Sequence, residues 1–267
     1  MKKLLLSIIV LFIGLTGFAQ RRLEKLWESD SLTLKGPESA LFDAKSQSLY
    51  ISSMGAGSVV QMDLNGNIMK SDLVKGLNAN KGSGIYNGLF YTAETSAVAV
   101  IDLAKGAIIK RIPIEGAGML NDLAIDSKGI VYVSDTRTGK VHRIEGDKPA
   151  VYLEGIPGAN GLLTVGDDLY VVGSTLFEKV SSGKEITKIG DGYESGLDGI
   201  VMIAKDEFIL SNYTGILYDV KVDGTKQVLL DTRSKGIMSN DISYNEKTNT
   251  LYVPSFRTNR IIAYSVK

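Results

Sequence analysis

The chain has 267 residues, no cysteine, a single histidine (His142), and 30 basic residues balanced by 30 acidic ones. That balance excludes a polybasic surface for nucleic acid or anionic lipid. The missing cysteines exclude disulfides and thiolate metal centres, and one histidine cannot build an imidazole cluster for zinc.

The first segment, "MKKLLLSIIVLFIGLTGFAQ", has two lysines, an apolar stretch from Leu4 to about Gly14, and small residues at Gly17 and Ala19. This is the layout of a secretory signal, with cleavage expected after Ala19. The apolar run is shorter than the roughly 20 residues of a spanning helix, and no cysteine follows it to carry a lipid. The mature chain, 20–267, is therefore expected to be a monomer exported to the periplasm or outside the cell, free of the membrane. Without Lys2 and Lys3 its 28 basic and 30 acidic residues leave a net charge near −2.

Beyond this segment the chain repeats. "ESALFDAKSQSLYISS", "NKGSGIYNGLFYTAE", "NDLAIDSKGIVYVSD", "NGLLTVGDDLYVVGS", "DGIVMIAKDEFILSN" and "NDISYNEKTNTLYVPS" begin at Glu38, Asn80, Asn121, Asn160, Asp198 and Asn240, at separations of 42, 41, 39, 38 and 42 residues. Each unit runs from a short apolar strand through a Gly/Asp/Lys/Asn turn to a strand centred on Tyr50, Phe90, Tyr132, Tyr170, Ile209 or Tyr252, and then to an alternating strand such as "SVVQMDL" or "RIIAYSV". Helical periodicity is nowhere sustained. Four short strands per 40-odd residues is the pattern of a propeller blade, so the fold class is all-β, a six-bladed β-propeller. The last unit ends after its third strand, and "RLEKLWES" near the mature N-terminus resembles the fourth-strand segment "AVYLEG". Residues Leu23 to Glu28 are therefore expected to complete the sixth blade and cover its open edge.

In a propeller the innermost strand of each blade lines the channel, so the six opening residues form a ring on one face. Asn80 and Asn240 read as ring members that close turns and hold water. Glu38 and Asp198 bring two negative charges, and Asn121 and Asn160 bring amide oxygens. Two carboxylates converging in a channel repel unless a proton or a cation joins them. An all-oxygen donor set suits a hard cation: calcium first, with magnesium, manganese or zinc as alternatives.

The motifs "GPES", "LND", "NGL" and "LDG", starting at 36, 120, 160 and 197, resemble the metal-site motifs of the senescence marker protein/gluconolactonase (regucalcin) family of six-bladed propellers. The resemblance implies one divalent cation held by Glu38, Asn160 and Asp198, with Asn121 touching the substrate. It also implies metal-assisted hydrolysis of a lactone or ester, in which Asp198 takes a proton from water and Asn121 orients the carbonyl. Lactonases of that family often carry an Arg two residues before the third-blade Asn. This chain has Met119 there, which points away from a polyhydroxylated substrate.

A small-molecule substrate over the channel would be walled by the turns after the second strands, where Met54, Glu94, Asp135, Arg137, Tyr213, Phe256 and Arg257 stand. Asp122 and Lys81, next to ring residues, are further substrate-binding candidates, Lys81 favouring anionic ligands. His142 lies in a third strand and reads as a surface or half-buried residue. No P-loop and no GxSxG elbow is present, "GAGS" at 55–58 precedes no helix, and "NYT" at 212 reads as a strand-end turn. The competing reading is a non-catalytic propeller, with a metal that only rigidifies the channel, binding a small molecule or a protein.

Overall fold

The computed structural model describes residues 21–267; the expected signal segment lies outside them. Twenty-four strands form six antiparallel four-stranded sheets. Five of them run in simple chain order from the innermost strand outward. The sixth has the order Leu23–Glu28, Arg260–Val266, Thr250–Ser255, Ser243–Asn245, so its outer strand comes from the start of the chain. The molecule is a six-bladed β-propeller closed by its N-terminal strand, as the repeat predicts.

Alternation along each strand sends apolar side chains to both faces of a blade, and neighbouring blades bury them against each other. Among the described residues six buried apolar clusters result, one at each blade–blade interface. The interface of blades 4 and 5 is aromatic: Tyr170 and Phe208 pack with ring centroids 4.9 Å apart and planes tilted by 42°, and Phe177 and Phe208 meet edge-on at 5.2 Å. The closing strand is anchored by Trp27, which donates from Nε1 to the Leu64 carbonyl (2.9 Å) and packs 6.1 Å from the Tyr252 ring. The ion pairs Arg260–Glu28 and Lys267–Glu24 tie its two ends to the neighbouring strand.

The inner strands are Pro37–Asp43, Ser83–Tyr86, Leu120–Ile125, Leu162–Val165, Leu197–Ala204 and Ser243–Asn245. Their starts pair with the ends of the second strands (Pro37 with Ser53, Leu120 with Asp135, Leu197 with Asn212). The six polar residues therefore share one end of the channel with the turns that follow the second strands. The far ends of the inner strands form the other mouth. Two glycines let the inner strands close up. A Cβ on Gly161 would fall 2.0 Å from the Asp198 carbonyl oxygen, and one on Gly199 would fall 2.6 Å from the Ile242 nitrogen.

Candidate active site on the channel axis

All six ring residues are buried: Glu38 is 7 % exposed, Asn160 7 % and Asp198 3 %. Asp198 is held from two sides, its Oδ1 accepting from Asn160 Nδ2 (3.1 Å) and its Oδ2 from Asn240 Nδ2 (3.3 Å). The Asn160 amide also donates to the Leu197 carbonyl (3.2 Å), which fixes the side chain and leaves its Oδ1 buried with no partner. Glu38 Oε2 is likewise buried and unpartnered. Asn121 is anchored through Nδ2 to Thr136 Oγ1 (3.0 Å), whose hydroxyl donates to the Ala159 carbonyl (2.7 Å). Asn80 donates to the Ser58 carbonyl (3.0 Å), and its Oδ1 has no partner. Asn240 does more than close a turn: besides bonding Asp198, its Oδ1 accepts from the Phe256 N–H (3.2 Å).

Hydroxyls on the second strands brace this ring from behind. Ser52 donates to the Lys81 carbonyl (2.6 Å), Ser134 accepts from the Asp122 N–H (2.9 Å), and Ser211 links the Gly199 N–H to the Asn240 carbonyl (both 2.7 Å). The signal was present in the repeat as the Ser or Thr near the end of "YISS", "YTA", "YVSD" and "ILSN".

The electrostatics are dominated by uncompensated negative charge. Burial raises the Glu38 carboxyl well above the usual range, the charges of Asp198 and Asp241 raise it further, and Lys81 offsets only part of this. Asp198 is raised by burial and by Asp241, against the two amide hydrogen bonds that favour its charge. Asp122 is raised by burial and by Asp241, and Asp241 is pushed up to about 6 by burial, against a hydrogen bond from Ser39. Lys81 is lowered by burial and partly restored by Glu38. Four carboxyls thus share a channel with one ammonium.

Among the described residues no three His, Cys, Asp or Glu side chains are arranged to hold a metal ion. The candidate set is instead two carboxyls and an amide oxygen. Glu38 Oε2 and Asn160 Oδ1, buried without donors beside Asp198, are the condition a hard, oxygen-seeking cation satisfies. The residues fit the group.

Several sequence candidates have other duties. Asp135 is committed to its own turn, accepting from the N–H groups of Gly118 (2.7 Å), Met119 (2.9 Å), Arg137 (3.2 Å) and Thr138 (3.2 Å). Burial opposes its charge, but these bonds hold its pKa low. Glu94 accepts from the Asn78 N–H (2.7 Å) and Arg111 Nε (2.7 Å). Asp122 accepts from Leu123 N and from Leu162 N of the next blade (both 2.6 Å), so it ties blades 3 and 4 together and lies one residue deeper than the ring. Lys81 donates to the Ala79 carbonyl (3.3 Å) and faces Glu38. Arg137, Tyr213 and Arg257 are exposed on the rim; Met54 and Phe256 are half-buried there. His142 is only 4 % exposed, in the third strand of blade 3 between the paired residues Val133 and Val151, so it is more buried than the surface or half-buried position expected of it. It is a buried strand residue remote from the ring.

No protein-family model matches the chain, and no curated protein matches its sequence. Solved structures do. A gluconolactonase from Xanthomonas campestris superposes with a TM-score of 0.73 at 16 % identity, over 93 % of this chain and 91 % of its own. The two chains share the six-bladed propeller architecture. A second, putative gluconolactonase gives 0.73 at 13 % identity, covering 93 % of each chain. Virginiamycin B lyase from Staphylococcus aureus, solved with quinupristin, gives 0.70 at 13 % identity over 92 % of this chain and 99 % of its own. At these identities the likeness shows the architecture, and the chemistry has to be argued from the residues.

Proposed function

We propose that the protein is an exported, metal-dependent hydrolase of a lactone or ester. The observation that carries this reading is the pair of buried, unpartnered oxygens, Glu38 Oε2 and Asn160 Oδ1, beside the doubly braced Asp198 carboxyl on the axis. Glu38, Asn160 and Asp198 would hold the cation, calcium before magnesium, manganese or zinc. Bound there, a divalent cation supplies Lewis acidity toward a substrate carbonyl.

The chain's own groups supply the rest. Asp198, fixed by two amide donors, keeps lone pairs free to accept a proton from the attacking water. Asn121, with one N–H spent on Thr136, has the other for the carbonyl or ring oxygen of the ester. Lys81 adds positive charge next to Glu38 and favours a substrate bearing negative charge. Met119, two residues before Asn121, has no side-chain donors with which to read substrate hydroxyl groups. Arg137, Tyr213 and Arg257 provide rim contacts. Export is inferred from residues 1–19, which lie outside the described structure.

Purified protein is to be incubated with calcium or manganese and a panel of lactones and aryl esters, with and without chelator. Chelator-sensitive turnover supports the hydrolase. Chelator-sensitive melting with no turnover across the panel assigns the cation a structural role in a binding protein and overturns the catalytic reading.

A further inference from the structure

The other mouth of the channel has its own chemistry. A cavity of about 600 Å³ opens there, within the range of small-molecule sites. Its wall is built by the far ends of the inner strands, with Ile85, Ile125, Val165, Met202 and Tyr244 among the lining side chains. Its floor carries Asp122 and Asp241, which stand on blades 3 and 6, opposite each other across a six-fold ring.

Two further observations point to a ligand. Ser83 and Ser243 line the same cavity, and each buries a hydroxyl oxygen with no hydrogen-bond partner; Ser83 as a whole is only 6 % exposed. Buried hydroxyls normally find partners, so orphaned ones in a cavity mark an unfilled polar contact. The charge is also unbalanced. Asp122 and Asp241 act on each other, whereas Lys81, the ammonium of the channel, is turned to Glu38. Hydrogen bonds already meet part of the acids' needs, from Leu123 N and Leu162 N to Asp122 and from Ser39 to Asp241. What these donors do not supply is positive charge.

We propose that this cavity is a second ligand site, separate from the ring, for a small organic cation: an ammonium group carried on an apolar body. The ammonium sits between the Asp122 and Asp241 carboxylates with the Ser83 and Ser243 hydroxyls as supplementary partners. The body lies along Ile85, Ile125, Val165 and Tyr244. An inorganic ion would satisfy the charge and leave the apolar wall in water; an apolar molecule without charge would leave the acids uncompensated.

The test is calorimetric titration of the intact protein with n-hexylammonium chloride, in calcium chloride so that the ring end is supplied with its own cation. 1-Hexanol and sodium hexanoate serve as neutral and anionic counterparts. Hexylammonium is expected to bind at least about tenfold more tightly than hexanol, and Asp241→Asn to weaken it about tenfold. Asp241 also helps close the ring at Ser39, so a second pair of variants uses Met202, which lines the cavity and is 37 % exposed. Met202→Lys weakens hexylammonium about fivefold and Met202→Glu tightens it, since the added charge acts across the same mouth. A folding defect would move both in one direction. Equal binding of hexanol and hexylammonium, or Met202→Lys and Met202→Glu shifting affinity the same way or not at all, overturns the proposal.

Discussion

Asp198→Asn separates a cation ligand from a structural hydrogen-bond acceptor. In the cation-free protein the carboxyl of Asp198 is 3 % exposed, lies within the field of Asp241, and is raised well above the usual carboxylate range. Replacing one oxygen by an NH2 turns a donor toward Asn160 or Asn240 and costs roughly 1–3 kcal/mol for the lost acceptor. Removing the buried charge returns an amount of similar size. Stability without metal should therefore change by no more than about 1 kcal/mol. With calcium at a hundred times its Kd, the wild type gains about 2.7 kcal/mol. At about 2–4 °C per kcal/mol for a chain of this length, that is a rise of about 5–11 °C in Tm. Asp198→Asn should lose nearly all of that rise while keeping its chelated Tm. Differential scanning calorimetry with and without calcium reads both quantities. A variant that keeps the full calcium shift, or that melts many degrees lower in chelator, refutes the reasoning.

Three other outcomes follow from the same geometry. Glu38, Asp122, Asp198 and Asp241 are all raised in the folded state, Asp241 to about 6, so the cation-free folded protein binds more protons than the unfolded chain. Its stability is therefore full below the ordinary carboxylate pKa near 4 and falls as pH rises through the raised folded-state values, that of Asp241 being about 6. The calcium-loaded minus chelated Tm should widen over that window, a difference in which the opposite contribution of His142, lowered by burial, cancels; a gap constant with pH contradicts this. Gly161→Ala sets a Cβ 2.0 Å from the Asp198 carbonyl oxygen, so it should cost about 1–3 kcal/mol and weaken calcium at least about tenfold by displacing Asn160; unchanged calcium affinity by calorimetry would count against the site. Trp27→Ala removes the half-buried anchor of the closing strand and its bond to Leu64, and should cost about 2–3 kcal/mol in urea melts, less than a fully buried tryptophan.

Much of this molecule is legible in its sequence because a propeller is local. Each blade is a run of hairpins, so its period, strand count and aromatic centres appear in order, and even the closing strand at Leu23–Glu28 follows from a sixth unit that ends one strand short. The ring is legible for the same reason: its residues hold equivalent places in the repeat. What did not show is which neighbour each polar side chain serves. Asp135 and Glu94 look alike to free loop acids, yet backbone amides and Arg111 claim them. Asn240 reads as a turn residue and braces Asp198. Asp122 and Asp241 follow ring residues by one position, but only the closure of the circle sets them opposite each other, one residue deeper than the site. The contacts of Asp122 and Asn240 run between blades, and a repeat describes blades one at a time; those of Asp135 and Glu94 lie within a blade, but in turns whose path the strand pattern does not specify.

Crystals of the protein grown in manganese chloride, measured for anomalous scattering, test the central claim most directly. One strong peak is expected within bonding distance of Glu38 Oε2, Asn160 Oδ1 and the Asp198 carboxylate. A ring without a peak at millimolar manganese, or a peak that those three side chains do not touch, would contradict it.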